Sequence, residues 1–210
     1  MNFYGSGNHL RIREPIVRPT AAAVLMLFVA PCAFAQATKP GWGADSKTGC
    51  RIWNRFPQPH ETVNWGGGCK GHLAEGQGVI QWFTDGKLGS NGFVEYHAGK
   101  LNGHGVYTRA NGDRYDGEWR DGKKNGYGVF TGANGDRYDG EWRDGNQNGH
   151  GVYTWANGES YDGEWRDGKA NGTGIYTKPD GTTYNGNWTN GCFKDNNRRA
   201  AVGVDLSSCP

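Results

Sequence analysis

The sequence predicts an all-β fold: an elongated single-layer antiparallel sheet of stacked β-hairpin repeats with disulfide-closed ends. Three observations support this prediction. First, the 210 residues include 37 Gly, 9 Trp, 10 Tyr and 8 Phe, whereas hydrophobic residues reach only 35%. Such a chain is too poor in apolar residues for a thick two-layer core and too rich in aromatic residues for disorder. Second, one motif recurs with a period of 23 residues, and third, cysteines flank the repeats at both ends.

Residues 1–35 have the layout of a secretory signal peptide. Three arginines precede an apolar run at 21–30, and Ala33-Phe34-Ala35 supplies the small residues that a signal peptidase requires, so cleavage is predicted between Ala35 and Gln36. The apolar run is too short for a membrane-spanning helix, which needs about 20 residues. The alternative is that Cys32 carries a lipid, which the preceding Pro31 disfavours. We therefore expect an exported protein, periplasmic or extracellular.

The remaining chain is electrically neutral. Residues 36–210 carry 20 basic and 20 acidic side chains, because the first 35 residues hold three of the 23 Lys and Arg and one of the 21 Asp and Glu. This balance disfavours nucleic acid as a partner and gives no polybasic tether to anionic lipid. We divide this part into a Cys-containing lead segment at 36–62, a repeat array at 63–191 and a carboxyl-terminal cap at 192–210.

The repeat is clearest in the middle of the chain. The octet at 115–122, Tyr-Asp-Gly-Glu-Trp-Arg-Asp-Gly, recurs unchanged at 138–145 and 161–168, and each octet is followed by Asn-Gly-x-Gly and a short β-branched and aromatic run. Imperfect units begin at Gly92 and Tyr184. A degenerate first unit contains Trp65 and Gly76, with four extra residues between them. A fixed period of this length indicates a repeat architecture with atypical ends.

Each unit is predicted to be one β-hairpin. Tyr115, Gly117 and Trp119 alternate with charged residues, which is the period of a strand with one aromatic and one charged face. Val129, Phe130 and Thr131 form the second strand. The Asp-Gly and Asn-Gly pairs between the strands accept the positive φ angles that tight hairpin turns demand. Stacked hairpins then form one twisted antiparallel sheet.

These residues resemble the MORN-repeat family, whose signature is similar to Tyr-x-Gly-x-Trp-x-x-Gly-x-x-x-Gly-x-Gly. The resemblance covers about residues 63–191, and the wider layout, with an export signal and a Cys-containing segment at each end, is similar to exported bacterial MORN proteins. The resemblance implies an assembly or dimerisation module. For some members of the family it implies phospholipid binding.

Four cysteines, Cys50, Cys69, Cys192 and Cys209, follow the signal peptide, and in an exported chain they favour disulfides. At two strands per repeat and about 4.8 Å per strand, five repeats separate the array ends by roughly 48 Å. A disulfide needs Cα atoms within about 7 Å. Unless the sheet closes into a ring, only the pairs Cys50–Cys69 and Cys192–Cys209 remain, and both would cap the array.

No pattern for catalysis, metal or cofactor binding is found outside the signal peptide. Carboxylates near Asp113 match no calcium-binding spacing, and His104 and His150 would lie roughly 19 Å apart, too far to share a metal. The rows of Glu118, Glu141, Glu164 and of Arg120, Arg143, Arg166 predict cross-strand ion pairs and hydrogen bonds on a charged face. We expect a protein that is not an enzyme and has no cofactor.

The aromatic rows are the candidate binding surface. A single layer has no second sheet to cover them, so part of a long aromatic groove is expected to stay exposed, and exposed apolar patches mark binding sites. Packing of the rings on each other is the alternative role. The candidates for ligand or partner binding are Tyr115, Trp119, Tyr138, Trp142, Trp155, Tyr161, Trp165, Tyr184 and Trp188.

The sequence therefore predicts an exported, non-catalytic scaffold that binds a protein partner or itself through the aromatic face or the array ends. Two alternatives stay open. One is binding to a membrane surface by aromatic insertion, which neutrality weakens. The other is a cell-wall polymer or carbohydrate that stacks on the rings.

Overall fold

The computed structural model describes residues 40–210. Within this range, every regular element except one 3₁₀ turn, Leu206–Ser208, is a β-strand. The strands are β1 (Gly41–Ala44), β2 (Arg51–Asn54), β3 (Glu61–Trp65), β4 (Gly68–Lys70), β5 (Leu73–Thr84), β6 (Lys87–His97), β7 (Lys100–Leu101), β8 (Gly103–Arg109), β9 (Arg114–Arg120), β10 (Lys123–Thr131), β11 (Arg137–Arg143), β12 (Asn146–Thr154), β13 (Ser160–Arg166), β14 (Lys169–Thr177), β15 (Thr183–Trp188), β16 (Cys192–Asp195) and β17 (Arg198–Ala201). The all-β prediction is confirmed.

One long sheet contains β1 to β15. Its order is β1-β2-β5-β6-β8 and then β9 to β15 in sequence, while β3 and β4 pair with β5 and β7 pairs with β6. Neighbours are antiparallel except β2 and β5, which are parallel through Arg51 and Leu73. The β16–β17 hairpin forms a separate two-stranded sheet. Strands adjacent in sequence are thus mostly adjacent in space, which is the pattern of a repeat array.

Each complete repeat is one hairpin, as predicted. β9 pairs with β10, β11 with β12 and β13 with β14. At the first of these turns, Asp121 has φ 51° and Gly122 has φ 74°, the signs that a two-residue hairpin turn requires. Loops of successive repeats are also joined: the Asp113 carboxylate accepts a hydrogen bond from Ala133 N at 3.0 Å, and Asp136 accepts one from Ala156 N at 2.9 Å.

Three parallel rows of residues cross the inner face, which we define as the face that carries Tyr115, Tyr138 and Tyr161. The ring row has one aromatic side chain on each strand from β8 to β15: Tyr107, Tyr115, Phe130, Tyr138, Tyr153, Tyr161, Tyr176 and Tyr184. The glycine row lies beside it: Gly105, Gly117, Gly128, Gly140, Gly151, Gly163, Gly174 and Gly186. The third row holds the tryptophans of β9, β11, β13 and β15.

The glycine row exists because the tyrosine rings lie across it. A Cβ atom on Gly151 would overlap Tyr138 Oη and lie 2.6 Å from its Cζ, and Tyr115 and Tyr161 cover Gly128 and Gly174 in the same way. Real Cβ atoms do not approach that closely. The glycines therefore provide the space in which a one-layer sheet buries its tyrosines.

The outer face carries the charged residues, and its glutamates make cross-strand hydrogen bonds as predicted, but the predicted ion pairs between the Glu and Arg rows are wrong. Glu141 accepts a hydrogen bond from His150 N at 3.0 Å, and Glu164 accepts one from Thr173 N at 2.8 Å. Within residues 40–210, no ion pair joins Glu118, Glu141 or Glu164 to Arg120, Arg143 or Arg166. The glutamates instead satisfy backbone donors beside the glycines that follow each hairpin turn.

Both ends of the array are closed by disulfides with the predicted pairing. The Cα atoms of Cys50 and Cys69 are 5.8 Å apart, and those of Cys192 and Cys209 are 5.5 Å apart. The insertion after Trp65 forms β4, which carries Cys69 and pairs with β5. At the other end, Phe193 packs on Trp188 with ring centroids 5.3 Å apart.

The predicted signal peptide, with its cleavage site and Cys32, lies outside the described residues. Among residues 40–210, there is no helix long and apolar enough to cross a membrane.

Candidate functional site

Most of the aromatic candidates are buried, so the expected long exposed groove needs correction. Seven of the nine have less than a tenth of their surface exposed: Tyr115, Tyr138, Trp142, Tyr161, Trp165, Tyr184 and Trp188. They form a single hydrophobic cluster that also includes Phe193 and Val202 of the cap. The single layer buries its own rings because each tyrosine lies flat over the glycine row and is flanked by tryptophans.

The polar atoms of these rings are also used within the fold. The hydroxyls of Tyr115, Tyr138 and Tyr161 each donate to the backbone carbonyl three residues later, at 3.0 Å from Tyr138 to Glu141 O. Each indole N–H donates to a glycine carbonyl 14 residues earlier, at 2.9 Å from Trp142 to Gly128 O. Buried rings with satisfied polar atoms offer little to a ligand, which places these seven residues in the core.

Ring contacts join each repeat to the next. The Tyr138 ring meets Trp142 of its own repeat edge to face at 5.0 Å and Trp165 of the following repeat at 5.5 Å. Tyr115 and Tyr161 make the equivalent pairs. Each such pair contributes about 0.5–1.5 kcal/mol beyond burial. The alternative role, a ladder that holds the array together, thus describes these rings.

The remaining two candidates, Trp119 and Trp155, are only partly buried. They share this property with Phe130 and Tyr153, and the four pack against the edge of the buried cluster. The Trp155 ring lies 4.6 Å from Tyr153 and 5.9 Å from Tyr176, so it extends the aromatic surface as expected. We call these four rings, with Lys124 and Gln147 between them, the central inner surface.

Lys124 is the unusual residue of this surface. Its Nζ lies 4.8 Å from the centroid of the Tyr115 ring, 4.3 Å from Phe130 and 4.2 Å from Trp142. Burial lowers the pKa of the Lys124 amine to about 8, and the Arg109 charge adds to this effect. A cation over ring faces is attracted by their quadrupoles, which stabilises the ammonium in this half-buried place.

A cavity of about 450 Å³ opens beside Lys124, between the lead segment and the sheet. Its aromatic walls are Trp53 and Phe56 of the lead segment and Trp82, Tyr107, Trp119 and Phe130 of the sheet. The cavity lies beside Tyr107, the first residue of the ring row. On the neighbouring strand, β6, the residue paired with Tyr107 is Gly92, so the row of rings does not continue there. The lead segment therefore completes a site that the repeats alone do not form.

The cavity is lined by more basic than acidic side chains. The cations Arg55, Arg109 and Lys124 line it together with two carboxylates, Glu61 and Asp113, while the guanidinium of Arg114 is paired with Asp116 at 2.8 Å. The Ala133 N–H lowers the pKa of Asp113, whereas burial raises the pKa of Glu61. Asp113 is paired loosely with Arg109 at 3.9 Å. Three cations against two carboxylates leave one positive charge in excess in the cavity lining.

Sequence reasoning missed Lys124 and the cavity, although part of the signal was available. Lys124 occupies the repeat position held by Leu101, Gln147 and Ala170, and it is the charged member of that set. A lysine at a repeat position that otherwise holds uncharged residues indicates a different environment there. Nothing in the sequence indicated that Trp53 and Phe56 would approach the same place.

The outer face brings His104 and His150 each to an aspartate. His104 Nε2 lies 3.3 Å from Asp116 and His150 Nε2 lies 3.4 Å from Asp162, both in exposed positions. Among residues 40–210, no group of three or more His, Cys, Asp or Glu is arranged to hold a metal ion.

The repeat register agrees with a known family. Four consecutive segments match the MORN repeat, at residues 95–114, 115–137, 138–160 and 161–183. Three of them begin at a tyrosine of the ring row, and together they span the central strands of the sheet. Among curated proteins, none matches the chain significantly. MORN repeats are modules used in binding, often to membranes or other proteins, and residues 95–183 of this chain match four of them in succession.

Proposed function

We propose that this chain is an exported, non-catalytic scaffold that binds a protein partner, or a second copy of itself, through the central inner surface. One observation carries the proposal. Trp119, Phe130, Tyr153 and Trp155 stay partly exposed beside a cluster of buried rings on the same face. Partly exposed aromatic residues next to a well-packed core are enriched where proteins bind each other.

The covered ends of the sheet favour a face over an edge as the binding surface. At the amino-terminal end, Asp45 bridges to Val63, which joins the β1 hairpin to β3. At the other end, Arg198 donates a hydrogen bond to Thr183 O at 3.1 Å, and Phe193 covers Trp188. Open edges recruit strands from other chains, and these contacts cover part of the sheet at both ends. A partner is therefore expected to lie on the rings.

Export is supported by the two disulfides. Disulfides persist in oxidising compartments such as the periplasm and the extracellular space, and both pairs have Cα separations in the range that a disulfide requires. The signal-peptide layout predicted for residues 1–35 agrees with export.

Site-specific photo-crosslinking tests the binding surface. A photoreactive residue replaces Trp155 on the inner face or, as the control, the exposed Tyr127 on the outer face. We expect covalent products with one defined protein, or with a second copy of the chain, from position 155 and none from position 127. Trp119→Ala in the full chain should weaken capture of that partner.

Two comparisons separate the proposal from its alternatives. The protein is sedimented with anionic liposomes and with isolated wall polymer at low and high salt. Salt-sensitive recovery on liposomes without a protein crosslink would replace the proposal with membrane binding, and salt-resistant recovery on wall polymer would replace it with carbohydrate binding. Crosslinks from position 127 alone would move the surface to the outer face.

A further inference from the structure

The position of Lys124 calls for a ligand. It occupies the inner face, where the equivalent Leu101 and Ala170 are buried apolar residues. Its ammonium forms no hydrogen bond and no ion pair within residues 40–210, and its attractions there are to three ring faces. By contrast, the adjacent Lys123 pairs with Asp144 at 2.8 Å. A half-buried ammonium with three unused donors favours an anion within reach.

The cavity beside Lys124 has the size and walls of a small-molecule site. Its volume of about 450 Å³ lies within the roughly 300–1,000 Å³ typical of ligand pockets. Trp53, Trp82 and Trp119 provide flat apolar surfaces, and Arg109 adds a second cation near the Lys124 side. Flat walls bind the faces of rings, and the cations bind a negative group. A metal ion or a cationic ligand would meet an excess of positive charge.

We propose that this cavity binds a small ring-bearing organic acid, with its carboxylate against the Lys124 ammonium and its ring between the tryptophan walls. Two sources share this chemistry, an aromatic acid and an acidic sugar. The site shares Trp119, Phe130 and Lys124 with the central inner surface, but the lead segment also lines it and it requires no macromolecular partner. The site recognises its ligand by one negative charge and one flat ring.

Charge and shape both act in this site. Burial lowers the pKa of Lys124, which means that the ammonium lacks solvation, and a bound carboxylate supplies the interaction that water no longer gives. Asp113 opposes an anion, but its carboxylate is engaged by Ala133 N at 3.0 Å and by Asn111 Nδ2 at 2.9 Å. The hydrogen bonds direct its charge toward the loop.

Calorimetric titration of the full chain with matched acids and neutral analogues tests the proposal. Benzoate is compared with benzamide, and glucuronate with glucose. We expect at least one acid to bind tenfold or more tightly than its neutral analogue. Binding of benzoate alone identifies the aromatic acids as the class, binding of glucuronate alone identifies the acidic sugars, and each result supports the site.

Two matched variants show whether Lys124 is responsible. Lys124→Gln introduces the residue that the next repeat carries as Gln147, so the array accommodates it, and it should weaken the acid tenfold or more. Lys123→Gln makes the same charge change one residue away, outside the cavity, and should change affinity less than twofold. Thermal unfolding checks that both variants are folded.

Three results would overturn the proposal. Neither acid binds at roughly 10 mM, a concentration at which even a weak specific ligand binds. The neutral analogues bind as tightly as the acids, or the Lys124→Gln variant binds the acid with the affinity of the unchanged chain. None of these results bears on crosslinking at position 155, so the two proposals fail independently.

Discussion

Replacing Gly151 by alanine tests the packing rule that holds the array together. Gly151 lies under the fully buried Tyr138 ring, and a Cβ atom there would lie 2.6 Å from Tyr138 Cζ and 2.8 Å from Cε2. The ring has to move away. It then loses the hydrogen bond to Glu141 O and its two contacts with Trp142 and Trp165.

The size of the effect follows from these losses. The hydrogen bond contributes about 0.5–1.5 kcal/mol and each edge-to-face pair about 0.5–1.5 kcal/mol. The complete loss amounts to about 3 kcal/mol. Alanine restricts the unfolded chain more than glycine does, which returns about 0.5–1 kcal/mol. Gly151→Ala is therefore expected to lower the free energy of unfolding by about 2 kcal/mol.

The assay is urea unfolding followed by tryptophan fluorescence, with two comparisons. Gly89→Ala is the matched control, because a Cβ atom on Gly89 would lie no closer than 3.6 Å to any neighbour, and its cost should stay below about 0.5 kcal/mol. Tyr138→Phe removes the overlapping Oη, so the double variant should cost less than the two single variants together. Equal costs for Gly151→Ala and Gly89→Ala would refute the reasoning.

Three further predictions concern charge, alkali and redox state. Lys124→Leu should raise the free energy of unfolding by about 1–2 kcal/mol at pH 7. Burial lowers the pKa of Lys124 to about 8, and the charges of Arg109 and Asp113 also act on it, so the advantage of leucine should shrink between pH 8 and 10.5. Urea unfolding at a series of pH values measures this change. Burial raises the pKa of Tyr153 to about 12, so the tyrosine of the unfolded chain ionises first and the free energy of unfolding should fall as pH rises from about 10 to 12, which urea unfolding over that pH range measures. Reduction of Cys192–Cys209 should expose the cap and β15 to hydrogen exchange before the central strands, and a uniform loss of protection would contradict this.

Much of the fold could be predicted from short segments of the sequence. The Asp-Gly pairs predicted hairpins because two successive positive φ angles suit them, and Asp121 and Gly122 have those angles. The disulfide pairing followed from distance alone, since a flat array keeps Cys69 and Cys192 far apart. The period of 23 residues fixed which strands are equivalent. Each of these inferences needed only the sequence and the geometry of one strand or turn.

The wrong inferences concern contacts between strands. Glu141 and Glu164 were expected to meet arginines, but each accepts a backbone N–H beside the glycine of the neighbouring strand. The carboxylate bonds to the backbone N–H, which is the nearer donor, because the glycine beside it leaves room. The alternation of residue types shows which face a side chain occupies, but it does not show which partner it meets there.

The sequence by itself determined the strands of the central repeats, the repeat period, the turns and the closed ends, because each depends on residues within one repeat or one short loop. Only the tertiary structure decided which rings are buried and where a ligand fits. Tyr138 is buried by tryptophans of two repeats, and the cavity at Lys124 needs Trp53 from the lead segment. Burial depends on which distant residues approach a side chain, and that information exists only once the sheet has formed.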